Sequence, residues 1–78
     1  MSLKEKIQKL LPFNIDEIKP EDTLLQLGLD SIKLVEIAGI IEENTPIRIM
    51  EDTIYEINGK WLNDLFKKYP WNTLFNYF

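Results

Sequence analysis

The sequence predicts an all-α protein, a small bundle of four helices, three of them longer and one short. Three observations lead to it. Apolar residues recur at three- and four-residue spacings along most of the chain, the period of a helix buried on one face. Prolines and cap-forming residues punctuate that pattern at intervals of helix length. No stretch alternates apolar and polar side chains as a half-buried strand does, and no segment repeats.

The first helix is predicted over Ser2 to Leu11. Ser2 and Glu5 form a capping-box pair, with the cap hydroxyl three residues before a carboxylate. Leu3, Ile7, Leu10 and Leu11 fall on one stripe, and Pro12 ends the run. Pro12 to Leu29 reads as a long connection. Its large apolar residues, Phe13, Ile15, Ile18, Leu24, Leu25 and Leu27, predict that it packs down onto the body, with a helical turn near Leu24 to Leu27. A connection of this length in a compact domain is more often functional than idle.

The second helix is predicted from Asp30 to about Asn44, with Asp30 as its N-cap and Pro46 as the stop. At 100° per residue, Leu34, Ile37, Ala38 and Ile41 share a core face. Ile32, Glu36, Gly39 and Glu43 share the opposite one. A mid-helix glycine costs about 1 kcal/mol against alanine. Gly39 therefore either admits a partner close to the backbone or is simply tolerated. A short helical turn follows from Glu51-Asp52 with Ile54 and Ile57, ending near Asn58-Gly59. The last helix is predicted over Lys60 to Tyr69, with Trp61, Leu62, Leu65, Phe66 and Tyr69 as its buried stripe. Lys67 and Lys68 suit its C-terminal end, and Pro70 closes it. In the tail, Trp71, Leu74, Phe75 and Phe78 again have helical spacing. It is expected to pack on its own body rather than offer an aromatic face to a partner. The domain reading is one small helical body over residues 1–69 and an aromatic C-terminal extension over 70–78.

Composition narrows the function. The chain has 78 residues, no Cys and no His, and a formal charge of −4. Disulfides and thiolate metal sites are excluded, the commonest metal ligand is missing, and no metal site is expected. The acidic balance argues against nucleic acid, whose phosphates demand a basic face, and favours partners with basic patches. In the N-terminal stretch the apolar residues are spaced rather than continuous and no small-residue cleavage site follows, so no signal peptide is expected, and no run is long enough to span a bilayer. A cytoplasmic monomer without a membrane partner is expected.

Ser31 carries the functional question, and three readings are open. As a nucleophile it lacks the usual base, since the chain has no His, and Lys33 points to a different face of the helix. No catalytic residue is therefore expected. As part of a helix start, the Asp30-Ser31 pair needs no function at all. As an attachment point, Ser31 sits at the positive end of the helix dipole. A phosphate ester there meets free backbone amides. Leu29 and Ile32 are expected to flank it with exposed apolar surface.

The stretch EDTLLQLGLDSIKLVEI, Glu21 to Ile37, resembles the modification site of acyl and peptidyl carrier proteins. Those proteins have an acidic and Thr-Leu approach, a Leu-Gly-x-Asp-Ser-Leu/Ile core and an amphipathic helix behind it. The order of elements is similar to theirs over about Ser2 to Tyr69. The resemblance implies a four-helix bundle of the acyl-carrier type, with Ser31 as acceptor of 4′-phosphopantetheine from coenzyme A. It implies that Asp30 helps a phosphopantetheinyl transferase recognise the site, and that the missing thiol arrives with the prosthetic group. Acyl or aminoacyl cargo would then be held as a thioester for a loading enzyme and downstream synthase enzymes. These would read Leu29, Ile32, Glu36, Gly39 and Glu43, with Ile49 and Tyr55 from the short helix. Two departures, Lys33 beside the site and Gly39 in place of a bulky apolar residue, favour polyketide or nonribosomal peptide assembly over fatty-acid synthesis. Leu29 favours the acyl over the peptidyl type. The starting Met and one-domain length point to a free-standing carrier. An unmodified helical adaptor with the same fold is the competing reading.

Overall fold

Ser2 caps the first helix as its spacing from Glu5 predicts. The Glu5 amide donates to the Ser2 hydroxyl at 3.2 Å, and the Ser2 amide donates back to the Glu5 carboxylate at 3.4 Å. The computed structural model describes residues 2–70. The readings that fall on Trp71 to Phe78 lie outside the described residues.

Helix α1 spans Leu3–Gln8 and so stops short of the predicted Leu11. Its end tightens, with the Leu10 amide donating to Ile7 and the Leu11 amide to Gln8 at three-residue spacing. Pro12 disfavours a helical Leu11 and offers no donor of its own. The Gln8 side chain then takes over, donating to the Phe13 carbonyl and accepting the Ile15 amide, both at 2.8 Å. The stripe survives the shortening: Leu3, Ile7 and Leu11 are buried and Leu10 packs beside them. With α1 this short, the described residues hold two longer helices, α2 and α4, and two short ones, α1 and α3.

The long connection holds a 3₁₀ turn at Ile15–Glu17 that the apolar spacing did not reveal; Asn14 caps it by accepting the Asp16 amide at 2.9 Å. The predicted turn around Leu24 to Leu27 is present. Leu24 and Ile15 are buried, but Leu25 and Leu27 face outward, against the expectation that the whole apolar set packs down. One helical turn has only one inward side, and Leu24 occupies it.

Helix α2 spans Ser31–Asn44 and buries the four residues assigned to its core face, Leu34, Ile37, Ala38 and Ile41. Its C-terminal carbonyls find partners in side chains: Thr45 Oγ1 donates to Ile41 and Asn44 Nδ2 to Ile40, both at 2.7 Å. Lys6 of α1 donates to Asn44 Oδ1 at 2.7 Å, which brings a cation to the negative end of the α2 dipole and fixes α1 against it.

Helix α3 is short, Glu51–Ile54, and the chain before it is held by Glu42, whose carboxylate accepts the Ile49 amide at 2.8 Å. Helix α4 spans Gly59–Lys68. Asn58 caps it by accepting the Trp61 amide at 2.8 Å. Leu62 and Leu65 are buried, while Trp61, Phe66 and Tyr69 are half-buried at the margin of the core. Among the described residues there is no strand, only an isolated antiparallel bridge between Thr23 and Asn58. No described helix is long and apolar enough to cross a membrane.

Candidate functional site

The approach to Ser31 is a bonded turn rather than a loose loop. The Thr23 amide donates to the Gln26 side chain and the Gln26 amide donates to the Thr23 hydroxyl, both at 3.1 Å. This is a capping box around a single turn. Gly28 closes the turn at φ 100°, a left-handed conformation that suits a residue without a Cβ. The Leu29 amide then returns to the Leu24 carbonyl at 3.2 Å.

Leu29 is 5% exposed and belongs to the core. This corrects the expectation that it offers apolar surface beside the serine. Closing the turn back onto Leu24 drives the Leu29 side chain inward, so it anchors the approach from beneath and is not available to a partner.

Asp30 is the N-cap, with extended backbone and its carboxylate accepting the Lys33 amide at 2.9 Å. The Leu34 amide donates to the Asp30 carbonyl at 3.1 Å. Ser31 is the first helical residue and is exposed. Among the described residues its hydroxyl makes no hydrogen bond, and neither its amide nor that of Ile32 has a partner. An exposed, untethered hydroxyl beside two free amides at a helix N-terminus suits an anionic ester: the amides and the dipole favour negative charge there.

The outward face assigned by helical spacing holds. Ile32 is 69% exposed, Glu36 and Glu43 are exposed, and Gly39 is half-buried. A Cβ added at Gly39 would meet nothing within 4 Å, so no contact within the chain demands glycine there. Lys33 reaches Glu36 at 3.8 Å and offsets part of the acidity beside the serine. Of the residues expected from the third helix, Tyr55 is exposed and Ile49 is half-buried. Two further apolar residues are exposed beside this face, Val35 at 58% and Met50 at 72%. Val35 lies one turn beyond Ile32, a pairing readable from the sequence. Met50 lies just outside a helix too short to have a recognisable face.

A family model described as "phosphopantetheine attachment site" matches residues 2–59. The chain belongs to that family. Its members hold 4′-phosphopantetheine covalently, and this chain is accordingly a phosphopantetheine-carrying protein with the helical fold of the acyl and peptidyl carriers. Carrier domains of the family are generally non-catalytic, are modified by phosphopantetheinyl transferase and interact with synthase enzymes. No curated protein and no solved structure matches the chain.

Proposed function

We propose that Ser31 is the residue that carries the 4′-phosphopantetheine and that the chain serves as a non-catalytic carrier of acyl or aminoacyl groups. The observation that carries this reading is the division of labour at the start of α2. Asp30 does the capping, which leaves the Ser31 hydroxyl exposed and without a partner among the described residues. When bound, the prosthetic group supplies a thiol on which cargo is held as a thioester. The chain's own part is to present Oγ and to surround the resulting phosphate with the free amides of Ser31 and Ile32. As Ser31 Oγ bonds phosphorus, the pyrophosphate bond of coenzyme A breaks and adenosine 3′,5′-bisphosphate leaves; the serine proton goes to a base on the transferase, since this chain has no His and no described side chain bonds the hydroxyl.

Transferase, loading enzyme and synthase enzymes dock around the serine on Asp30, Ile32, Glu36, Gly39 and Glu43, to which Val35, Met50 and Tyr55 are added. The pathway we favour is polyketide or nonribosomal peptide assembly rather than fatty-acid synthesis. The Lys33–Glu36 pair and the exposed Ile32 and Val35 give the outer face of α2 a mixed rather than uniformly acidic character. The residues from 70 onward are an extension that loading does not require.

Incubation with coenzyme A and a broad-specificity phosphopantetheinyl transferase, followed by intact mass and peptide mapping, tests the assignment. One added prosthetic group on the peptide containing Ser31 is expected. No mass gain favours the unmodified adaptor, and a gain on another residue overturns the site.

A further inference from the structure

The junction between α3 and α4 is stitched to the segment that leads into Ser31. The Leu24 amide donates to the Ile57 carbonyl at 3.0 Å, the Gly59 amide to the Asp22 carbonyl at 3.0 Å, and the Lys60 amide to the Pro20 carbonyl at 3.1 Å. The Thr23–Asn58 bridge lies within this stitch. At Gly59 the two stretches leave no room for a side chain. A Cβ there would overlap the Lys19 carbonyl oxygen and lie 2.8 Å from the Lys19 carbonyl carbon and 3.0 Å from Ile18 Cγ2. The main obstacle is backbone, so no change of rotamer relieves it. Any side chain at this position must push the incoming segment away from α4.

From the stitch to the serine the path is short and bonded throughout. Leu24 is fully buried, the Thr23–Gln26 box follows it, and Leu29 returns to Leu24 and is itself buried. Asp30 and Ser31 come next. The place of Ser31 relative to α3 and α4 is therefore tied to contacts on both sides of Gly59 as well as to the core packing of α2, and its orientation on α2 to the Asp30 cap.

We propose that Gly59 is a positioning residue for the loading of Ser31. By admitting the Lys19 backbone it holds residues 20–29 against the α3–α4 junction, so that a transferase seated on α2 and α3 meets Oγ at one fixed place. Gly59 is buried against Lys19 and Ile18, so it acts through the segment. The inference rests on Ser31 being the attachment point.

The test compares the full chain with Gly59→Ala, and with Lys60→Ala as a control that keeps its backbone bond to Pro20. Loading is followed at varied carrier concentration, and amide hydrogen exchange is measured on the same proteins. In Gly59→Ala, kcat for loading is expected to fall about tenfold, within the range an ångström-scale misplacement costs. The Leu24 and Leu29 amides should exchange faster, while those of Ile37 and Ile41 in α2 keep their protection. A purely structural role gives a different pattern. A partly unfolded carrier is a diluted substrate, so its apparent KM rises by the folded fraction and kcat at saturation is unchanged. Unchanged kcat in Gly59→Ala, or an equal fall in Lys60→Ala, overturns the proposal. If Gly59→Ala does not keep its helical circular dichroism, Gln26→Ala takes its place, because it breaks the box between the stitch and Ser31. Unchanged kcat there overturns the proposal equally. A wild-type chain that is not loaded on Ser31 overturns the site assignment, and this role falls with it. A loaded wild type with unchanged variant kcat overturns this inference alone.

Discussion

The Asp30 carboxylate accepts the Lys33 amide at 2.9 Å, and by taking that amide it leaves those of Ser31 and Ile32 without partners among the described residues. Asp and Ser are both favoured N-cap residues. The first residue closes the helix, and the second keeps its hydroxyl free.

Ser31→Ala is expected to abolish loading and to leave stability within about 0.5 kcal/mol of wild type, the usual range for an exposed side chain with no partner. Intact mass after transferase treatment checks the first part and denaturant unfolding the second. An alanine variant that is still loaded, or that unfolds, contradicts the assignment.

Asp30 separates stability from recognition. Asp30→Ala should cost about 1 kcal/mol through the lost cap, and Asp30→Asn should keep most of that because asparagine caps as well as aspartate. Both should slow loading, since both remove the acidic group before the serine. Asp30→Asn loading at the wild-type rate would mean that the transferase does not read the charge.

The docking face mixes exposed apolar groups, Ile32, Val35 and Met50, with the carboxylates of Glu36 and Glu43. These should separate by salt. Reversing the charges of Glu36 and Glu43 should weaken partner encounter at low ionic strength, with the difference from wild type shrinking as salt screens exposed charges. Val35→Ser and Met50→Ser should weaken binding to a similar degree at all salt concentrations, because apolar contact is not screened. Thermal midpoints should stay near wild type in every case. Loading kinetics across a salt series distinguish the two contributions, and identical salt profiles for both sets would refute the separation.

Acid should loosen the start of α1. The Ser2 amide, and next its hydroxyl, hold the Glu5 carboxyl below the usual glutamate range. A carboxyl depressed in the folded state contributes fully above its unfolded value of about 4.3, and the contribution is lost as pH falls through the lower folded value. Amide signals of Ser2 to Glu5 should therefore shift toward a frayed helix start below about pH 4. Glu5→Gln, which can still complete a capping box, should remove that pH dependence while keeping the helix. A Glu5→Gln variant with the same acid transition would place its origin elsewhere.

The sequence by itself determined the features that are local. The Ser2–Glu5 and Asp30 caps, the core face of α2, the turn near Leu24 and the start of the last helix all depend on residues within about one turn of each other, and helical geometry connects them directly. The exposed position of Ser31 behind its cap was legible for the same reason. The rest depended on which surfaces meet. Leu29 reads as an apolar neighbour of the serine, yet it is buried because the Thr23–Gly28 turn folds it back onto Leu24. The end of α1 depends on Gln8 reaching past Pro12 to Phe13 and Ile15. The backbone of Pro20 to Leu24 bonds to that of Ile57 to Lys60, a pairing possible because nothing projects from Gly59 into Lys19. Hydrophobic periodicity identifies the side of a helix that is buried, but not the backbone it will lie against, because that contact joins segments far apart in the chain and exists only once both are folded.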